Sequence, residues 1–492
     1  MSAKGQEGGN LDAILTTAEH DRQRLNSNAL GPFSLTLLGI ASVVGAGIFA
    51  VTGIAAAEHA GPAVVISFVL AGIVAGLTAL CYAELASMIP AAGSTYSYAL
   101  AAFGSFIGWF IGWDLLLEYL FAASTVAVSW SSYFVDLLGS VGIHFPHDLA
   151  NPPFGEDPGI VNLPALGVML LTSAALWIGT RESAIANNTM VLLKLSILAL
   201  LVAVGAFYVI SSNYEPFVPA SGGGFGDFGW SGILRGAGVV FFAYIGFDAV
   251  ATAAAEARNP KRTVPIGLLG TVIIATAIYV AVGAVLVGMV NYRELGVGDP
   301  ISVALEAGGR DLDWLLKLTD VAAVVGLAST VLVTLYGQTR IFMRMSEDGM
   351  LPPAFGRVSE QTRTPVFAIV LSAVVGGVVA GLVPLSILGE LISIGTLLAF
   401  IIVSFGVLRL RRTHPELDRP FRVPALPLVA GTAIVASIAL MATLPGDTWI
   451  RLAVWTAAGL TIYFFYARQH SGEKLAAVLA GGRPATEGEE GA

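Results

Sequence analysis

Charge is what this sequence lacks most. Only 12% of its 492 residues are Asp, Glu, Lys or Arg, about half of the roughly 25% usual in water-soluble domains. Such a chain cannot clothe a water-facing surface of its own size. A single cysteine, Cys81, excludes an intramolecular disulfide and any metal site built on several thiolates. Basic tracts are missing as well, and the net charge is −9, so nucleic acid is excluded as a partner. No nucleophile motif, metal-ligand cluster or phosphate loop is present, which argues against a membrane enzyme. Residues 1–33 hold neither an apolar core nor a small-residue cleavage site, so they read as a tail and not as a signal peptide.

What is abundant is apolar surface and glycine. Hydrophobic residues make up 55% of the chain, mean hydropathy is +0.78 and there are 57 glycines. Small residues let membrane helices approach closely. Runs long enough to cross a bilayer recur near 34–56, 62–88, 100–136, 161–180, 184–210, 232–256, 265–290, 314–343, 365–382, 385–409, 425–443 and 449–467. They are continuously apolar and not of period two, which excludes a β-barrel. The pattern predicts an all-α integral membrane protein of about twelve transmembrane helices. The third run is too long for one untilted span, and only Val383-Pro384 separates the ninth from the tenth.

Basic residues orient the chain. With a cytoplasmic amino terminus and alternating loops, nineteen of the 25 Lys and Arg fall on the cytoplasmic side and five on the other, leaving Lys194 inside a span. Both termini are therefore expected in the cytoplasm and the protein in the plasma membrane.

Two runs are interrupted. Gly45-Ala46-Gly47 lies within the first, and the sixth carries Gly246 and Asp248 near its middle. Glycine weakens a helix where unpaired backbone groups are hardest to satisfy, so such a break implies something polar bound at it. Breaks five spans apart suggest two five-helix halves, 34–210 and 232–409, followed by two appended helices at 425–467 and a tail at 468–492. An odd number of helices turns the second half upside down, the inverted-repeat plan of secondary transporters. Packing glycines alone would account for either break taken singly.

The residues at these breaks resemble a family. Leu37-Leu38-Gly39-Ile40-Ala41-Ser42-Val43-Val44-Gly45-Ala46-Gly47-Ile48-Phe49 is similar to the first helix of amino acid/polyamine/organocation permeases. Phe242-Ala243-Tyr244-Ile245-Gly246-Phe247-Asp248, followed by Glu256-Ala257-Arg258-Asn259-Pro260, resembles their sixth helix and the loop after it. Met345-Ser346-Glu347-Asp348-Gly349-Met350-Leu351-Pro352 resembles the loop after their eighth. The likeness runs from about residue 30 to 470 and leans toward bacterial members of the cationic amino acid transporter branch.

The resemblance implies a five-plus-five inverted repeat of the leucine-transporter type. Backbone N–H groups around Val43, Gly45, Ala46 and Gly47 would hold a substrate carboxylate, and carbonyls of Phe242, Ala243 and Ile245 its ammonium. Phe242 would also gate the solute; its plainer alternative is a core or lipid-facing ring. It further implies that Lys194 places its ammonium where sodium-coupled relatives bind a cation, although Ser329-Thr330 could ligate sodium instead. An intramembrane charge is costly and usually functional. Glu118, one helical turn after Asp114, is the expected partner acid. Asp114, nearer the cytoplasmic end, is expected to reach water. Asp248 either steadies the broken backbone or joins Lys194 and Glu118 in a polar network.

The expectation is thus a secondary transporter for L-amino acids, neutral or cationic, driven by proton symport through alternating access. A proton serves as the coupling ion, with no cofactor and no metal, and a monomer suffices. Exchange and sodium symport remain the alternatives, ahead of a channel or a membrane enzyme. Pro260 and Pro265 are expected to punctuate helix ends around a cytoplasmic hinge at Glu256–Pro265.

Overall fold

The computed structural model describes residues 30–471, apart from 90–93, 155–157, 179–183, 253, 255, 256 and 363. Among these residues there is no β-strand, and an isolated bridge joins Leu30 to Ala257. The expected tails beyond this range, and Glu256, lie outside the described residues.

The apolar runs become helices whose ends follow from proline and glycine. Helix α1, Pro32–Val43, begins with proline at its first position, where the missing N–H costs nothing. After a break the chain is helical again through Gly47–Val51, Thr52–Ala55 and Ala56–Ala60. Then come α2 (Val64–Met88), α3 (Ser94–Phe103), α4 (Ser105–Ser140), α5 (Leu163–Ile178) and α6 (Ala184–Gly205). Helix α7, Gly229–Val240, leads into the second break and the short Ala249–Thr252 turn. The remainder is α8 (Pro260–Met289), α9 (Pro300–Ala307), α10 (Asp313–Glu347), α11 (Val366–Leu382), α12 (Leu385–Thr413), α13 (Leu426–Thr443) and α14 (Gly446–Ile462). Among the described residues nine helical segments are long and apolar enough to cross a membrane, and Pro32–Val43, Leu163–Ile178 and Val366–Leu382 are shorter apolar helices.

Two boundaries differ from the sequence reading. The third run is not one helix: Gly104, at φ +83°, turns the chain between α3 and α4. A side chain there would strain the left-handed backbone, so glycine permits the corner. Pro265 does not end a helix but sits inside α8, whose first residue is Pro260. The weak boundary at Val383-Pro384 holds, with Pro384 capping α12.

Helices α4 and α10 pack along one another, as do α2 and α8, and these pairs enclose the broken stretches. Large apolar side chains such as Ile273, Val374, Val435 and Phe465 are exposed, as lipid-facing surface must be. One face gathers Lys261, Arg409, Arg411, Arg419 and Arg422 at helix ends and loops. There Arg411 grips the buried Glu84 with two hydrogen bonds, and Glu84 also accepts the Val423 N–H at 2.8 Å.

Candidate solute site at the broken helices

The first break falls at Val44–Gly45, one residue earlier than the glycine pair suggested. Helix α1 ends at Val43, and the N–H groups of Ile48 and Phe49 both return to the Gly45 carbonyl, at 3.2 and 3.3 Å. A new helix therefore starts around Ala46–Gly47. The N–H groups of Gly45, Ala46 and Gly47 stand at its positive end, where no preceding turn supplies acceptors.

The second break is longer. Helix α7 stops at Val240, a tight turn covers Phe241–Tyr244, and Ile245 is extended before Gly246 at φ +101°. Glycine is needed at 246 twice over. A Cβ there would be strained by the backbone angle and would lie 3.0 Å from Ser42 of helix α1.

These two interruptions meet. A Cβ on Gly47 would stand 2.5 Å from the Cβ of Ala243 and closer still to its Cα. The absent side chain thus lets the halves of the chain touch at their breaks. Tyr279 of α8, fully buried, sits between them: its hydroxyl is 2.9 Å from the Val43 carbonyl and 2.8 Å from that of Ala243. One phenolic O–H is shared between two acceptors, so each carbonyl keeps capacity for another donor. The Phe242 carbonyl accepts only the Ile245 N–H of its own turn among the bonds described, at 3.1 Å. Phe242 and Ala243 are buried, and Ile245 is partly exposed.

Lys194 of α6 comes to the other side of the first break. Its Nζ donates to Thr330 Oγ1 at 2.6 Å and lies 3.4 Å from the Val44 carbonyl. Gly326, one turn before Thr330 on α10, makes room for the lysine stem, since a Cβ there would meet its Cε at 2.8 Å. The hydroxyl that sequence offered as a sodium ligand is therefore engaged by the ammonium.

The acids gather around a narrow, closely packed crevice lined by Tyr82, Thr95, Glu118, Gly246, Asp248 and Thr396, among others. Glu118 and Asp248 thus line one crevice. The contacts described for Lys194 instead point to helices α1 and α10. Asp114 does not reach water as anticipated: it is 3% exposed, and neither carboxyl oxygen has a hydrogen-bond partner among the described residues. Gly395 faces it, with room for a Cβ only 3.0 Å from Oδ1. Helix α12 covers this part of α4, a tertiary contact that helix periodicity does not reveal. Tyr279 and Tyr82 were missed for a similar reason, as tyrosines in apolar runs carry no local signal of a polar task.

A backbone cradle of N–H groups, facing carbonyls and a buried ammonium can hold a small zwitterion without any reactive group. A family model described as amino acid permease matches residues 30–466.

The chain belongs to the amino acid permease family.

It is 41% identical over 456 residues to a methylthioribose transporter of Bacillus subtilis, covering 93% of this chain and 97% of that one. It is 40% identical over 446 residues to the branched-chain amino acid permease BcaP of the same organism, covering 90% and 93%. It is 34% identical over 415 residues to a vacuolar cationic amino acid transporter 2 of Arabidopsis thaliana, spanning 84% of this chain and 62% of that protein. The chain is accordingly a multi-pass membrane permease of the amino acid/polyamine/organocation superfamily, and a transporter, not an enzyme.

Proposed function

We propose that this permease imports an L-amino acid with a proton by alternating access, its two five-helix halves related as an inverted repeat. The arginine-rich face is read as cytoplasmic, with both termini there. The observation that carries the reading is the meeting of the two breaks at Gly47 and Ala243, with the Lys194 ammonium beside the first. The N–H groups of Gly45, Ala46 and Gly47 take the substrate carboxylate. The carbonyls of Phe242, Ala243 and Ile245 take its ammonium. Lys194 stands in for a coupling cation, and Glu118 with Asp248 passes a proton along the crevice between the site and the arginine-rich face.

Uptake into proteoliposomes tests this, with a panel of neutral and cationic L-amino acids under an inward proton gradient and, separately, a sodium gradient. Methylthioribose joins the panel because one relative carries that substrate in its name. Proton-driven accumulation of an amino acid, lost in Lys194→Ala and Glu118→Gln, is the expected result. Dependence on sodium alone would overturn the role given to Lys194. Counterflow without net accumulation would turn the reading to exchange.

A further inference from the structure

On the face opposite the arginine-rich loops, Arg235 of α7 is an under-satisfied cation. Its Nη2 is 3.8 Å from Glu390 Oε1, beyond hydrogen-bond reach, and its Nη1 is 3.5 Å from the Phe225 carbonyl. Its Nε is buried with no hydrogen-bond partner among the described residues. Glu390, at the start of α12, is better provided for. It accepts the Thr448 hydroxyl at 2.9 Å and has Arg451 of α14 at 4.0 Å. The pairing is therefore unequal. If α7 and α12 separate, Glu390 keeps Thr448 and Arg451, whereas Arg235 loses the one acid with which it pairs among the described residues. Asp227, the acid nearest in sequence, is turned toward Gly222. His59, the other titratable group beside Arg235, has its Nδ1 3.1 Å from the Gly226 carbonyl.

Position gives that inequality a use. Arg235 precedes Phe242 by seven residues, about 10 Å along the helix axis at 1.5 Å per residue. Helix α7 packs against the second half of the broken first helix and against α12, and Ser393 of α12 reaches the Val239 carbonyl at 3.4 Å. The guanidinium thus lies on the seam between these elements, and a solute entering from this side needs them to part at a mouth beside it.

We propose that Arg235 is an entry subsite for the substrate carboxylate: with the mouth open the incoming carboxylate pairs with Arg235, and with the mouth closed Glu390 takes its place. A guanidinium suits this exchange because it binds a carboxylate through two parallel N–H donors. The proposal rests on the amino-acid reading above, and adds a first stop on the substrate's way in.

The test is uptake of whichever L-amino acid the wild-type protein accumulates fastest, comparing R235Q, R235K and E390Q in proteoliposomes. R235Q should raise KM about tenfold, since focused charge of this kind changes capture by factors of ten or more. Its maximal rate should stay within about threefold, and R235K, which keeps the charge without the two-pronged donor, should give a KM between those of wild type and R235Q. E390Q should leave KM unchanged and lower the maximal rate, because Glu390 serves closing and not capture. Two neutralising variants with the same effect would mean an ordinary structural ion pair and would overturn the proposal. An unchanged KM in R235Q would do the same. R235M, which keeps an unbranched apolar stem, replaces R235Q if that variant does not purify as a single species. A wild type that carries methylthioribose and no amino acid overturns both readings, whereas amino-acid uptake indifferent to R235Q overturns this one alone.

Discussion

Replacing Gly47 with alanine tests whether the two breaks work as one site. The added methyl would sit 2.5 Å from the Ala243 Cβ, against the 3.4 Å at which ordinary contact begins, so the breaks must part by about 0.9 Å. The obstacle includes the Ala243 backbone, which cannot rotate away as a side-chain tip can. Forcing extra volume into a packed contact of this kind typically costs about 1–3 kcal/mol. That cost falls on conformations in which the breaks touch, so passage through them should slow by about 5- to 150-fold. Gly45→Ala provides the contrast two residues away. Its methyl would meet the Thr330 Cγ2 at 3.2 Å, a group that can give, and the effect should stay below about 1 kcal/mol or fivefold. Initial uptake rates and thermal melting of both purified variants supply the readout. Equal, small effects for the two alanines would refute the claim that Gly47 is where the halves of the chain meet.

Two further outcomes follow from the same geometry. Tyr279→Phe leaves the Val43 and Ala243 carbonyls without their shared donor, a loss of about 1–3 kcal/mol for buried acceptors. It should lower the melting temperature and raise KM, and a variant matching wild type in both would dismiss Tyr279 as a strut between the breaks. Asp299, in the segment before α9, has its carboxyl pushed well above the ordinary aspartate value, first by burial and then by its hydrogen bond and proximity to Asp136. The folded chain therefore holds that proton more tightly than the unfolded one. The associated stability is full below the ordinary value of 3.8 and falls as pH rises through the raised native one. Hydrogen-exchange protection of residues 299–307, corrected for intrinsic rates, should decline over that window. Asp299→Asn should flatten the dependence, and an unchanged slope would show that another group titrates.

How much of this was legible beforehand depends on whether a feature is written locally. Most apolar runs, the break next to the glycine pair and the corner at Val383-Pro384 all lie within a few residues of sequence, and each appears at or within a residue or two of its expected place. Gly104 escaped because a glycine in an apolar run looks alike whether it packs in a helix or turns a left-handed corner. Pro265, the sixth residue of α8, misled because a membrane helix tolerates an interior proline where neighbouring groups satisfy the freed carbonyl. The burial of Asp114 and the bridging by Tyr279 depend on which distant helix covers them. For Asp114 that is α12, some 280 residues further on; for Tyr279 it is the pair of carbonyls at Val43 and Ala243.

Lys194 shows where the two kinds of information join. As a lone basic residue within an apolar run it was conspicuous, and intramembrane charge pointed to function. Its partner was not readable from α6 at all. The structure supplies Thr330 at 2.6 Å and the Val44 carbonyl at 3.4 Å, so one ammonium touches both the broken first helix and α10. That arrangement constrains any account of coupling. If the ammonium loses its proton, the amine gives up a charge-assisted bond to Thr330 and its attraction to the Val44 carbonyl together. A neutral amine still donates, but the tie between the first break and α10 is then weakened, beside the N–H groups of Gly45, Ala46 and Gly47. A proton on Lys194 and a carboxylate at those N–H groups therefore act on the same few residues of backbone, which is the physical condition for one to influence the other.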